Sequence, residues 1–479
     1  MGEELGGCPL ARGGERVTPA ARARRVLVVG GGLAGLSAAI QCQDAGAEVL
    51  LFESRPRFGG ATWSFQRKGL QFDNGQHVYL RCCIAYRRFL ERLGTADLAP
   101  LQDRLAIPVI SPSADGPVTA WIRRSSLPAP LHLLPSLLSY RHLTLAERVR
   151  LGRAVRAMLA CDPGSPELDE ETFGSFLRRH GQSDRAIALL FDLIALPTLN
   201  VHADEAALGP ALKVFRTGLL DEPDGADIGW ARVPLARLHV DPAIDILRKG
   251  GAIVHDKAKV EAIDVAGARP AARVAGERLE ADAIILAVAH EAAAELLPPG
   301  GALDPVALRG LGTSPIIDVH LVYDRKVLPY ELAAAVHSPA QFVFDRTAAA
   351  GLDPADGQCL AISVSGADGE HGERPEELID RYVAALEALL PAARDARLVD
   401  AVVSREHSAT FRAVPGTARL RPGPISGLPG LYLAGSWTDT GWPATMEGAV
   451  RSGVAAAACA LGESAAARGN DRPLEEVLA

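Results

Sequence analysis

The sequence predicts an α/β fold built around a parallel sheet, and three observations near the start of the chain support this prediction. The apolar run at 26–29 is typical of a buried parallel strand. A glycine-rich turn with G-x-G-x-x-G spacing follows this strand. A helical stretch and a second strand, Glu48–Phe52, then lead directly to an acidic residue, Glu53. This order and spacing predict a dinucleotide-binding unit.

Each residue of the motif suits contact with a pyrophosphate and a ribose. Gly30 permits the tight turn, Gly32 lets the backbone approach the pyrophosphate, and Gly35 lets the following helix pack against the strand. That helix, predicted from residue 36 to about residue 45, offers its N-terminal N–H groups and positive dipole end to phosphate. Glu53 can accept both hydroxyls of an adenosine ribose. The motif alone leaves FAD and NAD open.

The residues that follow Glu53 favour FAD. Arg57, Gly59 and Gly60 come shortly after the acid, as in the glutathione-reductase-like flavoproteins, where the fingerprint continues into an Arg-x-Gly-Gly turn. An arginine met in isolation would be a solvated loop cation. The combined pattern predicts FAD as the cofactor, held by a Rossmann domain.

Composition excludes several classes of function. The 479 residues suggest two or three packed units, and a formal net charge of −8 gives no support to nucleic-acid binding. Seven cysteines without a C-x-x-C pair predict neither a disulfide framework nor a metal site, which fits a cytoplasmic protein. No apolar run is long enough for a spanning helix. The stretches 1–24 and 463–479 are expected to be a disordered tail and a mobile tail.

The middle of the chain has an apolar character that suits a lipid. Leucines and aromatic residues at 120–150 alternate with arginines, which suits the surface of an anionic bilayer, but an ordinary helical subdomain with core leucines fits as well. The helix predicted at Ser183–Leu196 is apolar nearly all round, so it is either buried or lines an apolar cavity.

Two polar pairs are candidates for the reaction chamber. His77 and Tyr79 follow a turn at period two and share a face, and His77 either lines the chamber or is a satisfied core histidine. The stretch Asp318–Tyr323 alternates as an antiparallel strand with one wet face does. Asp318 and His320 share one face of that strand, where they either point into the chamber or form a cross-strand polar pair on a solvated sheet.

The carboxy-terminal part returns to the pattern of the first strand. A buried strand is predicted at Ala283–Val288, and another ends at Gly435 before a loop and a helix at Met446–Ala460. Both halves of the FAD site therefore come from opposite ends of the chain. We predict a discontinuous FAD-binding domain from 25–95, 236–299 and 416–462, with an inserted α+β substrate domain from 96–235 and 300–415.

Two segments carry a resemblance to a known family. The stretches DNGQHVYLRCC at 73–83 and GSWTDTGWPATMEGAVRSG at 435–453 resemble the squalene-associated FAD-dependent desaturase-like proteins. These are the hydroxysqualene dehydroxylases of the hopanoid pathway, within the amine oxidase and phytoene desaturase superfamily. The resemblance implies that the backbone of Val260 contacts the adenine of FAD. It also implies that the flavin ring and the ribityl chain are held by Gly435, Ala444, Thr445, Met446 and Ala449. Ser436 departs from the acidic residue that relatives carry after the strand glycine, and Asp439 is a substitute for it.

The resemblance also implies a reaction and an isoprenoid lipid substrate. Hydroxysqualene would lose its hydroxyl with the help of an acid and gain a hydride from reduced flavin, giving squalene and water. Candidate acids are Asp439, Glu447 and His77. Asp439 ranks first because it lies in the loop expected over the flavin, although a helix-capping role suits Asp439 or Thr445 as well. The electron donor would be external, and the protein would contact the inner face of the plasma membrane only peripherally.

Three alternatives remain open at this point. A phytoene-type desaturase would use the same domain in the oxidising direction. A flavin amine oxidase usually needs an aromatic cage and a flavin-facing lysine, and this chain has only six lysines. A non-catalytic binder of prenylated proteins shares the fold and would purify without the yellow colour of flavin.

Overall fold

The computed structural model describes residues 23–162, 165–301 and 303–462, so most of the two predicted tails lies outside it. The described residues form nineteen strands. In chain order these strands are β1 Arg25–Val29, β2 Glu48–Phe52, β3 Ser64–Arg67, β4 Leu70–Asp73, β5 Val78–Leu80, β6 Ala106–Ser111, β7 Val118–Arg123, β8 Ile228–Trp230, β9 Ile253–His255, β10 Val260–Asp264, β11 Ala271–Val274, β12 Glu277–Glu280, β13 Ala283–Leu286, β14 Ser314–Tyr323, β15 Leu332–Ala335, β16 Phe342–Asp345, β17 Gln358–Ser365, β18 Leu398–Thr410 and β19 Leu431–Leu433.

Fifteen α-helices accompany these strands in the described ranges. They are α1 Leu33–Asp44, α2 Ile84–Leu93, α3 Leu134–Leu138, α4 Leu145–Ala160, α5 Phe173–Arg179, α6 Asp184–Ala186, α7 Asp192–Leu199, α8 Leu208–Phe215, α9 Asp241–Lys249, α10 His290–Leu296, α11 Pro305–Arg309, α12 Thr347–Ala350, α13 Pro375–Leu389, α14 Pro391–Arg394 and α15 Met446–Leu461.

A five-stranded parallel sheet carries the predicted nucleotide-binding motif. Its strand order is β19-β13-β1-β2-β9, and every neighbouring pair in it is parallel. The strands come from widely separated parts of the chain, since β1 pairs with β13 on one side and β2 on the other. The predicted α/β fold class with a parallel sheet is therefore confirmed.

The first and last helices of the sheet domain pack directly against each other. Gly453 of α15 lies so close to α1 that a Cβ there would stand 2.2 Å from the carbonyl oxygen of Ala34. The Ser37 hydroxyl also donates to the carbonyl of Val450, at 3.3 Å. The two ends of the described chain thus meet at one side of the sheet. The α1 helix begins earlier than predicted, at Leu33, because Gly32 is its N-cap.

A second, seven-stranded sheet has the order β18-β14-β17-β16-β15-β6-β7. Its strands are joined by antiparallel pairing except for β15 with β6. Alternate residues of β14, such as Val319, pack with Leu378 and Leu386 of α13 in an apolar core. The opposite face is covered by the β3–β4 hairpin, where Phe72 lies 5.2 Å from His320 between ring centroids.

The prediction of a wet face on this strand is therefore wrong. Asp318 is 0% exposed and His320 is 1% exposed. Sequence alternation identified the two faces of β14 correctly, but the hairpin that shields the polar face comes from a distant part of the chain.

The helices between β7 and β8 share an apolar core with residues of the seven-stranded sheet, such as Val109 and Phe344. The helix predicted at Ser183–Leu196 is continuous through a π-helical turn at Ile187–Phe191 and ends at Leu199, where Asn200 has a φ of 58°. Most of its large apolar residues are buried and Ile194 is half-buried, which fits the expected apolar surroundings. A capping box opens α4 at Thr144, since the Thr144 hydroxyl accepts from Glu147 N and the Glu147 carboxylate accepts from Thr144 N.

The arginine-rich segment at 120–150 divides its leucines between core and surface. Leu133 and Leu143 are buried, whereas Leu131 is 50% exposed and Leu145 is 70% exposed. The buried leucines fit the interpretation as a helical subdomain with core leucines, whereas contact of the exposed leucines with a bilayer stays a prediction. None of the helices in the described ranges combines the length and the apolar character that crossing a bilayer requires.

Candidate functional site

The glycine-rich turn after β1 has the close packing that the motif requires. Gly30 has a φ of 105°, and a Cβ there would lie 2.5 Å from the carbonyl oxygen of Ala287. A Cβ on Gly35 would lie 1.8 Å from the carbonyl oxygen of Gly30. Larger residues at these two positions would push the helix away from the sheet.

The predicted Arg-x-Gly-Gly turn lies against this loop. Gly59 N donates to Gly31 O at 2.8 Å. Gly60 has a φ of 58°, and a Cβ there would lie only 2.9 Å from Gly32 Cα, so this position has no room for a side chain. A Cβ on Gly32 would lie in ordinary contact with Gly60, 3.6 Å from its Cα. Two glycine segments thus form a backbone-lined hollow at the N-terminus of α1, which suits a pyrophosphate.

Glu53 is held in position by backbone groups. Its carboxylate accepts from Gly31 N and from Arg55 N, each at 2.8 Å, and the residue is 8% exposed. The adjacent chain passes close by, since Ala258 N donates to Glu53 O at 2.8 Å. Val260 begins β10 two residues later and is buried. The structure therefore brings Glu53 and Val260 to the same side of the parallel sheet.

Arg57 supplies a partly buried cation beside Trp63. Its guanidinium lies over the Trp63 ring, 3.8 Å from the centroid. Its buried Nε has no hydrogen-bond partner among the described residues. Removal from water lowers the pKa of Arg57. A guanidinium N–H without an acceptor, in the same turn as Gly59 and Gly60, fits the phosphates of a bound dinucleotide.

The second wall of the site is built by the carboxy-terminal loop and α15. Gly435 has a φ of 142°, and its N–H donates to the Ser452 hydroxyl at 2.8 Å. Thr445 caps α15 by accepting from Gly448 N at 3.2 Å. Met446 and Ala449 are half-buried on the first turn of this helix. These contacts fit the flavin-holding role that the family resemblance implies for the segment.

Arg421 shapes the loop between Gly435 and α15. Its guanidinium donates to the carbonyls of Thr438 at 2.5 Å and Trp442 at 2.8 Å, and more weakly to that of Ser436 at 3.4 Å. Burial lowers the pKa of Arg421. Sequence reasoning missed this residue, because an arginine 25 residues before the first residue of α15 carries no local signal of its contacts.

The three candidate acids occupy very different environments. Asp439 is exposed and accepts from Gly441 N at 3.2 Å. Glu447 is 1% exposed, accepts from Tyr86 N at 2.7 Å and pairs with Arg451 Nε at 2.5 Å. His77 is half-buried, and its Nδ1 lies 3.1 Å from Gly75 O. These contacts favour a structural role for Glu447 and a solvent-facing one for Asp439.

A buried polar cluster lies directly beneath His77. Asp73 pairs with Arg346 at 2.8 Å, and both side chains are almost fully buried. Asn74 donates to Ala61 O at 2.8 Å, which ties this segment to the Arg-x-Gly-Gly turn. Asp318 accepts from Gln76 N at 3.0 Å. The segment between Asp73 and His77 thus connects the nucleotide-binding hollow to the seven-stranded sheet.

One lysine reaches the carboxy-terminal loop unexpectedly. Lys213 of α8 places its Nζ 4.8 Å from the Trp442 ring centroid, and Arg451 lies 5.1 Å from the same ring. Burial lowers the pKa of Lys213. Lys68, in the turn between β3 and β4, pairs with Asp400 at 2.9 Å. Helix α8 gave no local sign that it would contact this loop.

Comparison with known proteins agrees with this geometry. Residues 33–461 match the family of flavin containing amine oxidoreductases. The chain is 28% identical to a hydroxysqualene dehydroxylase from Sinorhizobium fredii over 92% of this chain and 99% of that protein. A second, from Rhodopseudomonas palustris, is 29% identical over 91% of this chain and 97% of the relative. A 15-cis-phytoene desaturase from Synechococcus elongatus is 26% identical over 94% of this chain and 99% of that protein.

Solved structures share the fold at lower identity. Putrescine oxidase bound to putrescine superposes with a TM-score of 0.67 and 20% identity, covering 92% of this chain and 99% of that one. Cyclohexylamine oxidase from Brevibacterium oxydans gives a TM-score of 0.65 at 20% identity, with the same coverage.

Proposed function

Since the chain belongs to the flavin-containing amine oxidoreductase family and uses FAD, we propose that this oxidoreductase removes the hydroxyl of hydroxysqualene to give squalene and water. The main support is that two hydroxysqualene dehydroxylases match it over nearly their whole length and over more than nine-tenths of this chain. Membership of an oxidoreductase family leaves no support for the non-catalytic binder of prenylated proteins.

The protein residues would hold the cofactor from two sides. Gly30, Gly32 and Gly35 with the N-terminus of α1 would bind the pyrophosphate, and Glu53 would bind the adenosine ribose. Thr445 and Met446, at the start of α15, would support the flavin ring and its ribityl chain. When bound and reduced, FAD supplies the hydride that replaces the hydroxyl.

The protein must also supply a proton, because a hydroxyl leaves poorly unless it is protonated. Of the three predicted acids, His77 has the most suitable environment. Its ring is half-buried and adjacent to the segment that meets the nucleotide-binding hollow, whereas both carboxylate oxygens of Glu447 are engaged by Ala85 N, Tyr86 N and Arg451. Removal from water lowers the pKa of His77, so its resting imidazole is neutral and must receive a proton before it can give one.

The proposal is tested by a single-turnover reaction. The purified enzyme is reduced with dithionite under anaerobic conditions, hydroxysqualene is added, and the products are identified by gas chromatography and mass spectrometry. We expect squalene to form together with flavin reoxidation. Absence of squalene while the flavin stays reduced would contradict the proposal.

A phytoene-type desaturase is the second candidate, because a 15-cis-phytoene desaturase matches at 26% identity over most of both chains. This enzyme would remove hydrogen from its substrate and leave the flavin reduced. Oxidised enzyme incubated with phytoene should therefore give desaturated product and bleached flavin only if this candidate is correct. The amine oxidases among the solved structures share the fold at 20% identity, which supports no amine substrate for this chain.

The proposed function includes contact with a lipid surface through exposed leucines. Leu127, Leu131, Leu134 and Leu138 are 43% to 50% exposed, and Arg123 and Arg141 are exposed beside them. Exposed leucines flanked by arginines suit an anionic bilayer from which a water-insoluble substrate enters.

Vesicle flotation tests this contact. The triple variant L131S/L134S/L138S should bind phosphatidylglycerol vesicles at least tenfold more weakly than the wild-type enzyme. The matched control V306S/V399S/I425S removes exposed apolar residues elsewhere on the surface and should bind normally. Equal binding by both variants would exclude the leucine surface as the contact.

A further inference from the structure

Asp318 is a buried carboxyl group with an unused oxygen. It lies in the middle of β14, paired in register with Ser363 of β17 on one side and Ser404 of β18 on the other. Its Oδ1 accepts from Gln76 N at 3.0 Å, and the Ser363 hydroxyl also interacts with the carboxyl group. The buried Oδ2 has no donor within hydrogen-bonding geometry among the described residues. An ionised carboxylate in this position would leave most of its charge unpaired, which is costly. The geometry therefore favours a neutral carboxylic acid.

Gly75 creates a gap between Asp318 and His77. A Cβ on Gly75 would lie 3.1 Å from Asp318 Oδ2 and 3.6 Å from His77 Cε1, so the carboxyl and the imidazole border the same small space. His77 Nδ1 is oriented by Gly75 O. The fully buried Asp318 carboxyl and the half-buried His77 imidazole thus both lie close to Gly75.

The surrounding charges do not neutralise Asp318. The nearby cation, Arg346, is paired with Asp73 and hydrogen-bonded to Ala231 O. Burial, with the neighbouring Asp73 carboxylate, raises the pKa of Asp318 to about 7, against opposing hydrogen bonds and Arg346. The other titratable groups around the cluster are His320, His239 and Glu406; burial lowers the pKa of His320 to about 4, so it is neutral.

We propose that Asp318 stores the proton that His77 passes to the departing hydroxyl. This inference rests on the proposed function. Asp318 acts through His77 and is therefore a positioning residue rather than a catalytic one. Its O–H proton moves to the His77 imidazole, and the imidazolium protonates the substrate oxygen. The carbon–oxygen bond then breaks, water leaves, the carbon takes the hydride, and Asp318 regains a proton from solvent.

The decisive variant is D318N, because an asparagine oxygen can still accept from Gln76 N but the side chain holds no acidic proton. We expect kcat to fall at least 100-fold with KM and FAD affinity unchanged, as for loss of a general acid. D318E should recover part of kcat. H77Q should lose as much as D318N, and the double variant no more than either alone, because the two residues act in series.

The pH profile and a matched control separate this role from a structural one. Wild-type kcat should decline above about pH 7 as Asp318 ionises, and D318N should lose this limb. D345N removes another carboxylate of the same sheet, whose oxygens are engaged by Thr347 and Gln358, and should keep wild-type kcat and pH profile. Unchanged kcat and profile in D318N would overturn the proposal.

Two measurements do not require turnover. Infrared spectroscopy of the holoenzyme should show the carbonyl band of a protonated carboxylic acid at pH 6 that disappears at pH 9 and is missing in D318N but present in D345N. The histidine ring signal assigned to His77, by its loss in H77Q, should shift in D318N. If the wild-type enzyme forms no squalene, the proposed function fails; a missing band or an unshifted His77 signal overturns the relay itself.

Discussion

At the residue scale, Glu53 links the sequence motif to ligand affinity most directly. Two backbone N–H groups hold its carboxylate, so its orientation is set before any ligand binds. E53Q keeps the size and one acceptor oxygen but loses the charge, and we expect the Kd for FAD to rise about tenfold. Titration of apoenzyme by flavin fluorescence measures this change. E48Q, at the exposed start of β2, is the control and should leave the Kd unchanged; equal effects of both variants would contradict a direct role for Glu53.

Asp318 makes a separate prediction about stability. Its pKa is raised to about 7 in the folded protein and is about 3.9 in the unfolded chain, so the folded state binds more protons between these values. The free energy of unfolding should therefore fall as pH rises from about 4 to about 7, with a slope of up to about 1.4 kcal/mol per pH unit from this group. The pH dependence of the free energy of unfolding of D318N, measured with urea, should lack this contribution. Identical pH dependence in wild type and D318N would contradict a raised pKa.

Glu447 was predicted as an acid, but its contacts predict a structural effect. It joins α15 to the N-terminus of α2 by accepting from Ala85 N and Tyr86 N, and it pairs with Arg451. E447Q leaves the Arg451 charge without its partner in a buried place, and we expect a loss of about 3 kcal/mol in the free energy of unfolding. Denaturant unfolding of the wild type and of E447Q measures this loss of stability. Unchanged stability with a large loss of kcat would instead support the acid role.

At the element scale, the contact between α1 and α15 joins the two ends of the described chain. G453A would place a methyl group 2.2 Å from the Ala34 carbonyl oxygen, so the helices must separate. We expect the free energy of unfolding to fall by about 1–3 kcal/mol. Helix α4 offers the matched control, because Gly152 is exposed with no atom within 4 Å of its Cβ position. G152A should stabilise the protein by up to about 1 kcal/mol, and destabilisation by both variants would indicate a general helix effect.

At the scale of the whole molecule, the segment at 73–77 connects the two sheets. Asp73 pairs with Arg346 of the seven-stranded sheet region, while Asn74 bonds to the turn beside the nucleotide-binding hollow. FAD should therefore stabilise both sheets together, by about 2.7 kcal/mol when its concentration is 100 times its Kd. Calorimetry of apoenzyme and holoenzyme should show a single transition that moves as a unit. Two transitions, of which FAD moves only one, would contradict this coupling.

Local patterns were sufficient to predict much of the nucleotide-binding unit. The turn at Gly30–Gly35 and the acid after β2 depend on steric and hydrogen-bonding needs within about thirty residues, which sequence spacing records directly. The Thr144 capping box was predictable for the same reason. The locations of the domain boundaries and the roles of the individual site residues stay predictions.

Contacts between distant segments were not predictable in this way. Alternation in β14 correctly grouped Asp318 with His320, but only packing of the β3–β4 hairpin decides that this face is dry. Likewise, Lys213 reaches Trp442, and Arg421 holds the loop before α15, through contacts that no local pattern encodes. By itself, the sequence determined the α/β fold class and the cofactor. The tertiary structure decided which polar groups lose their water, because burial depends on what the rest of the chain places on top of them.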